Sequence, residues 1–178
     1  MDKKATTEEK NRMDLVANLA VILAALIVIA TVVKNDWLAK PLHISQAQTA
    51  LKGTKLQVPG VNWERAPRTL IMALSTECRF CIQSIPFYKR LTTETRGLDN
   101  PVPIIAVFPQ QLSVAQAFVQ TNEIHPDEVL SRSLQTMGIS GTPTLLLVDN
   151  TGKVQEVWSG ELSGSQESIL IQQISSRN

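Results

Sequence analysis

The sequence has little of several features that would point to a familiar class of protein. Its 17 Lys and Arg stand against 16 Asp and Glu, for a formal net charge of +1. Nucleic-acid binding is therefore not expected, because it needs a basic face. The chain also has no internal repeat or low-complexity tract. With only two cysteines, it lacks the several disulfide pairs on which small extracytoplasmic scaffolds usually depend.

Both cysteines lie in the stretch STECRFCIQSIPF, at Cys78 and Cys81. Two thiols at this spacing can close a tight disulfide, supply half of a zinc site or act as a redox dithiol. A metal site is disfavoured, because there is no second cysteine pair and neither His43 nor His125 stands at a ligand-like spacing from the first. An inert disulfide is disfavoured because one closely spaced pair is a poor staple. We therefore expect thiol-disulfide exchange.

Residues 15–33, LVANLAVILAALIVIATVV, form an apolar run without a charged residue. As a helix this run would extend roughly 28 Å, close to the hydrocarbon thickness of a bilayer. It lacks the polar stripe that a surface helix of a small domain needs. Thr31-Val32-Val33-Lys34 offers no cleavage site of small residues. The sequence thus predicts an uncleaved transmembrane signal anchor.

Basic residues flank this segment unequally, with four in residues 1–14 and only Lys34 and Lys40 shortly after it. The positive-inside rule places residues 1–14 in the cytoplasm as a short tail. A linker at 34–54 would lead to a domain at 55–178. This domain would lie outside the bacterial cytoplasmic (inner) membrane, in the periplasm or an equivalent extracytoplasmic space, where thiols meet an oxidising environment.

The residues after the anchor are too few for two ordinary domains and predict one α/β domain. Arg68 to Ser75 is an apolar run typical of a strand buried on both faces, and it leads into Cys78. A helix is expected to begin at the cysteines and to be kinked by Pro86, which donates no backbone hydrogen bond. Further strands are predicted at 103–108, 144–148 and 153–158, helices at 112–121, 132–137 and 165–175, and a short hairpin at 55–58 and 61–63.

The position of the cysteine pair predicts different roles for its two sulfurs. Cys78, at the start of a helix, would lie near unpaired backbone N–H groups and the positive end of the helix dipole, which stabilise a thiolate. Cys81, one turn further on, would be more buried and would act as the resolving thiol. Arg79 should favour the Cys78 thiolate and Glu77 should oppose it, while Phe80 adds an apolar surface at the rim.

The strand, the CxxC pair, the helix with Pro86 and a distant Gly141-Thr142-Pro143 before another strand resemble the thioredoxin superfamily. With the anchor and the segment MGISGTPTLLLVDNTGKVQEVWSGEL, the chain looks most similar to membrane-anchored extracytoplasmic thiol-disulfide oxidoreductases of the TlpA/ResA kind. The resemblance implies a thioredoxin-like fold, with a central mixed sheet flanked by helices, after one transmembrane helix. It also implies a cis bond before Pro143 and a Thr142 backbone that pairs with an extended substrate.

Three positions depart from the family. Glu77 stands where Trp is common, Arg79 and Phe80 replace Gly-Pro between the cysteines, and Met72 replaces a buried acid that assists proton transfer in thioredoxin. A different proton acceptor, Glu77 or water, would be needed.

The sequence therefore predicts an enzyme that exchanges the Cys78/Cys81 dithiol or disulfide with protein substrates. The predicted substrate site consists of Thr142, Pro143, Arg79 and Phe80. No soluble cofactor and no metal are expected, because the electrons reside in two sulfurs, but a membrane or extracytoplasmic redox partner must supply or remove them. The alternative is a Sco-like copper-delivery protein, although that family separates its cysteines by three residues.

Overall fold

The structure is a computed structural model that describes residues 18–19, 21–25, 50–98 and 100–176. The chain divides into two units, residues 1–42 and residues 43–178. In the first unit, residues 18–19 and 21–25 are helical. The other residues of the predicted anchor at 15–33, the tail at 1–14 and most of the linker at 34–54 lie outside the described residues. Within the described part, no helix is long and apolar enough to cross a membrane.

The second unit is built on a five-stranded sheet. Its strands are β1 (Arg68–Ala73), β2 (Ile104–Phe108), β3 (Glu128–Ser131), β4 (Thr144–Asp149) and β5 (Val154–Ser159). They lie in the order β3-β2-β1-β4-β5. β1, β2 and β3 run parallel, whereas β4 pairs antiparallel with β1 and with β5. The sheet is therefore mixed, as the resemblance implies.

Four helices pack on one face of this sheet. They are α1 (Arg79–Gln83), α2 (Ile85–Arg96), α3 (Leu112–Thr121) and α4 (Gly164–Ser175). Alternate residues of β1 divide between two cores, because successive strand side chains point to opposite faces. Leu70 and Met72 pack with the helices, whereas Ile71 and Ala73 pack against Leu56 and other residues of the loop segments that cover the second face. Burial on both faces explains the continuous apolar runs in β1 and β2.

The helix after the cysteines is broken where the sequence predicts a kink. α1 ends at Gln83, α2 begins at Ile85, and Ser84 between them has φ −86° and ψ 2°. Pro86 occupies the first turn of α2, where its missing N–H costs least. The break leaves Cys81 on a short helix of its own, held against the end of β1.

Two local predictions are wrong and one strand was missed. Residues 55–58 do not form a hairpin with 61–63. Lys55 instead pairs antiparallel with Lys153, and the Leu56 N–H donates to Gly152 O at 2.8 Å, because the turn between β4 and β5 offers unpaired backbone groups. The predicted helix at 132–137 is only a 3-10 turn, Gln135–Met137. β3 was missed because four residues give too short a pattern.

Candidate active site

Cys78 occupies the N-cap position of α1, as its place after a buried strand predicts. Its sulfur accepts a hydrogen bond from the Cys81 N–H at 3.2 Å, in the way that a capping side chain satisfies the first turn of a helix. Its thiol donates to the backbone oxygen of Thr142 at 3.2 Å. The sulfur therefore lies between a helix N-terminus and the loop that contains Pro143.

These surroundings lower the pKa of Cys78. Burial acts to raise it, but the interactions with the side chains of Cys81 and Thr142 and with the backbone N–H groups of Cys81 and Phe80 outweigh burial. Hydrogen bonds from N–H groups favour the charged form of a thiol. Cys78 is thus the sulfur better suited to attack.

Cys81 has the opposite character. It is fully buried, and both thiols are free. Burial raises the pKa of Cys81 to about 12, and its hydrogen bond with Cys78 acts in the same direction. A buried thiol with a raised pKa is a poor nucleophile toward substrates in solution, but it lies where it could attack a mixed disulfide on Cys78, which fits a resolving thiol.

The loop of Gly141, Thr142 and Pro143 faces the cysteines from the start of β4. The peptide bond between Thr142 and Pro143 is cis, as the resemblance implies. The Thr144 hydroxyl donates to Gly141 O at 2.8 Å, and the Gly160 N–H donates to Pro143 O at 2.8 Å. These two bonds fix the loop from both sides, so that the Thr142 carbonyl is held against Cys78.

The other predicted site residues lie on the surface beside the pair. Arg79 and Glu77 are exposed, and Phe80 is 51% exposed on the first turn of α1. The structure therefore brings Cys78, Cys81, Thr142 and Pro143 together and leaves Arg79 and Phe80 at the rim. Met72 is fully buried in the same core cluster as Cys81.

Sequence reasoning missed a polar pair, Ser75 and Gln110, which joins the ends of β1 and β2. The Gln110 side-chain amide donates to the Ser75 hydroxyl at 2.8 Å, and the Ser131 hydroxyl donates to Gln110 O at 2.7 Å. The Ser75 backbone acts to lower the pKa of Cys81. Ser75 follows β1 and Gln110 follows β2, and the carboxyl ends of parallel strands meet at one edge. This arrangement of parallel strands is the signal from which the contact between Ser75 and Gln110 could have been predicted.

The described residues contain no cluster of three or more His, Cys, Asp or Glu side chains that could hold a metal ion. His125 lies against α2, where its backbone N–H contacts the Thr92 hydroxyl at 3.4 Å. His43 lies outside the described residues. The copper-delivery alternative stays a prediction from the sequence.

No protein-family model matches the sequence, and no curated protein matches it. Solved structures do match the fold. The thioredoxin domain of a thiol-disulfide oxidoreductase from Bacteroides vulgatus is 16% identical at a TM-score of 0.55, and the match covers 70% of this chain and 98% of that one. A structure assigned as the thiol:disulfide interchange protein DsbE of Chlorobium tepidum is 19% identical at 0.54, over 69% and 92% of the two chains.

A thiol:disulfide interchange protein from Bacteroides sp. is 18% identical at a TM-score of 0.52, over 72% of this chain and 88% of that chain. All three matches cover most of the second unit. The chain therefore has the thioredoxin-like fold that these structures share.

Proposed function

We propose that this chain is a thiol-disulfide oxidoreductase that exchanges its Cys78/Cys81 dithiol with disulfides of protein substrates. The observation that carries the proposal is the asymmetry of the pair. Cys78 caps a helix and has a lowered pKa, whereas Cys81 is buried and has a raised one. The fold shared with structures described as thiol-disulfide oxidoreductases supports the same activity.

In the proposed reaction the Cys78 thiolate attacks one sulfur of a substrate disulfide. A bond forms between Cys78 and that sulfur, and the other substrate sulfur leaves and takes up a proton. Cys81 then loses its proton and attacks the Cys78 sulfur, which releases the second substrate thiol. The substrate gains two electrons and the chain is left with a Cys78–Cys81 disulfide. The reverse sequence would oxidise a substrate.

The substrate would dock over the exposed rim of this site. Thr142 and Pro143 would pair with an extended substrate backbone, and Phe80 would add apolar contact because it is half exposed next to Cys78. Arg79 would add a positive charge beside the attacking sulfur. The electrons of the exchange reside in the two sulfurs, so the reaction needs no soluble cofactor. A redox partner in or outside the membrane would supply or remove these electrons and so restore the pair.

We further propose that residues 15–33 anchor the chain in a bacterial cytoplasmic membrane, with the second unit outside. The described part of that segment supports this placement, because it is helical and its apolar side chains Leu19, Val21, Ile22 and Leu23 are exposed. Apolar exposure on a helix is expected of a surface that faces lipid. Fractionation of cells tests the anchor: the full chain should resist alkaline carbonate and dissolve in detergent. Recovery in the soluble fraction would contradict it.

The activity is tested with the full chain in detergent. The thiols should equilibrate reversibly with defined thiol-disulfide buffers, and the chain should accelerate the reduction of insulin by dithiothreitol. Cys78→Ser is the matched control and should abolish the acceleration. A reduction potential near the roughly −270 mV of thioredoxin would identify a reductant, and one near about −120 mV a disulfide donor. A chain that neither equilibrates nor accelerates the reaction would refute the activity.

A further inference from the structure

Ser75 is the first residue of the turn that joins β1 to Cys78. Its backbone oxygen accepts a hydrogen bond from the Cys78 N–H at 3.3 Å, and its side-chain oxygen accepts one from the Glu77 N–H at 3.3 Å. A serine hydroxyl that bonds to the backbone two residues further on stabilises a turn locally. Ser75 therefore holds the two backbone N–H groups that come directly before the Cys78 side chain.

The two bonds within the turn hold it only weakly, because both lie at the long end of the range for an N–H donor and an oxygen acceptor. The sheet gives its support just before the turn. The register of β1 against β2 runs to Ala73 and Val107, and the Leu74 N–H donates to Val107 O at 2.9 Å. The turn begins beyond these paired residues, and a side chain continues the link between the two strand ends.

Gln110 supplies that link from the end of β2. Its side-chain amide donates to the Ser75 hydroxyl at 2.8 Å, the shortest of these three bonds to Ser75. The Gln110 backbone oxygen in turn accepts a hydrogen bond from the Ser131 hydroxyl at 2.7 Å, at the end of β3. The carboxyl ends of three parallel strands are thus joined, through Ser75, to the turn before Cys78.

Stability alone is a poor explanation for the amide of Gln110. Its side-chain oxygen is buried and, within the described part of the chain, has no hydrogen-bond partner. A buried acceptor without a partner is unfavourable. An apolar side chain of similar shape would avoid that cost, but it could not donate to Ser75. The bond that the amide nitrogen makes is therefore the best explanation for a glutamine at this position.

The turn determines where the Cys78 sulfur lies. Cys78 has the extended backbone of an N-cap residue, with φ −85° and ψ 115°. From there its sulfur contacts the Cys81 N–H and the Thr142 oxygen, both at 3.2 Å. Hydrogen bonds weaken steeply when their angle or distance departs from the ideal, and a bond from an N–H group favours a thiolate. A loosened turn would therefore weaken the interaction that favours the reactive form of Cys78.

We propose that Ser75, held by Gln110, is a positioning residue that fixes the Cys78 sulfur at the start of α1 for its attack on a substrate disulfide. The inference rests on the proposed function. Cys78 gives its proton to water, and its thiolate attacks one substrate sulfur. The substrate S–S bond breaks, and the other substrate sulfur leaves with the electron pair of that bond and takes up a proton. Ser75 and Gln110 neither gain nor lose a proton, and they act only through the turn.

The test measures how the reaction of Cys78 depends on pH. The reduced full chain in detergent is mixed with iodoacetamide between about pH 5 and about pH 10, and peptide mass spectrometry gives the rate at Cys78. In Ser75→Ala and in Gln110→Met we expect the rate at low pH to fall by about fivefold, the size of one neutral hydrogen bond. The rate at the highest pH should stay the same. The pH midpoint should rise, because less thiolate is present at low pH.

Further variants make the result specific. Ser75→Thr keeps the hydroxyl and should retain the midpoint of the unmodified chain. The double variant of Ser75→Ala and Gln110→Met should be no slower than Ser75→Ala alone, because both changes remove the same bond. Asn122→Leu is the matched control, because its side-chain amide also donates at 2.8 Å, to Phe118 O. Asn122 follows the far end of α3, about 15 Å along the helix from Gln110, and its replacement should leave the midpoint unchanged.

A second reaction separates this role from the proposed function. The unmodified chain is mixed with glutathione disulfide, and the adduct at Cys78 is followed by mass spectrometry. If the adduct forms and resolves but neither Ser75→Ala nor Gln110→Met raises the midpoint, the positioning role is refuted and the proposed function stands. An equal rise in Asn122→Leu would also refute the role, because general loosening would then be the cause. If the midpoints rise as expected but the unmodified chain forms no adduct, the proposed function fails while the effect of the turn on Cys78 stands.

Discussion

The Cys78 thiol donates a hydrogen bond to the backbone oxygen of Thr142 at 3.2 Å, across 64 positions of sequence. This bond joins the first turn of α1 to the loop before β4. A carbonyl is an acceptor for the thiol and offers nothing to the thiolate. Ionisation of Cys78 therefore breaks this bond and frees the Thr142 oxygen, which can then accept a hydrogen bond from a substrate backbone.

The two cysteines should differ when each is replaced by serine. Cys81→Ser should accumulate mixed disulfides between Cys78 and protein partners, because the thiol that resolves them is gone. Cys78→Ser should accumulate none, because its remaining thiol is buried. Non-reducing gels of acid-trapped cells measure both. Equal amounts of adduct in the two variants would contradict the assigned roles.

Alkylation of the reduced chain should be selective for one thiol. The pKa of Cys78 is lowered, so iodoacetamide should label it at a pH below that needed for free cysteine. Cys81 should stay unlabelled in the folded chain, because it is buried and its pKa is raised to about 12. Peptide mass spectrometry after timed labelling distinguishes the two. Unfolding in urea is the control and should make both sites react alike.

The stability of the reduced chain should fall as the pH rises above about 9, the ordinary pKa of a cysteine thiol. In the unfolded chain Cys81 ionises near that pH, whereas in the folded chain it keeps its proton up to about 12. The folded state then binds more protons, so the free energy of unfolding decreases with pH. Cys78 acts oppositely and at lower pH, since its folded pKa is lowered: it adds stability as the pH rises toward 9.

Urea titrations between about pH 8 and about pH 10 measure this effect, below the range where tyrosine ionisation dominates. Cys81→Ala is the control, because it removes the group responsible. A fall in stability of the same size in that variant would show that Cys81 is not its source.

Thr144→Val should impair substrate turnover more than it impairs folding. The valine keeps the shape of this buried side chain but removes the bond to Gly141 O, which fixes the loop that holds Thr142. We expect a loss of stability of about 1 kcal/mol and a reduction of kcat/KM by several fold, chiefly through KM. Ser159→Ala is the control, since its contact with the Thr144 hydroxyl is longer, at 3.4 Å. An unchanged KM would argue against a docking role for the loop.

Arg68→Met should destabilise the chain without changing exchange. The Arg68 guanidinium donates to Gln173 O at 3.0 Å, to Ile174 O at 2.9 Å and to Ser176 O at 2.7 Å, which ties the end of α4 to the start of β1. The last carbonyls of a helix generally need donor partners from outside it, and a cation is favourable at a helix C-terminus. We expect a loss of about 2 kcal/mol in urea unfolding. Arg65→Met, at an exposed arginine, should cost far less.

Several elements could be predicted because their signals are local. The apolar run from Arg68 identified β1, and the break at Ser84 followed from the missing N–H of Pro86. The helix-start position of Cys78 and the greater burial of Cys81 followed from their place at a strand end and one helical turn apart. Such features depend on periodicity and on single-residue chemistry within a few positions.

Other features depend on partners that are distant in sequence. The pairing of Lys55 with Lys153, the short strand β3 and the contact between Gln110 and Ser75 have no local pattern strong enough to predict them. Each forms because the sheet places distant segments side by side, so that an unpaired backbone or side-chain group of one segment can hydrogen-bond to the other.

The sequence by itself determined the buried strand before the cysteines, the helix that begins at Cys78 and the placing of the two thiols one helical turn apart, since apolar runs and local backbone preferences dictate these features. Only the tertiary structure decided what surrounds the sulfurs: the Thr142 carbonyl on Cys78 and the complete burial of Cys81. The pKa of each thiol depends on the burial and hydrogen bonds of its sulfur, and these arise only when distant segments pack together.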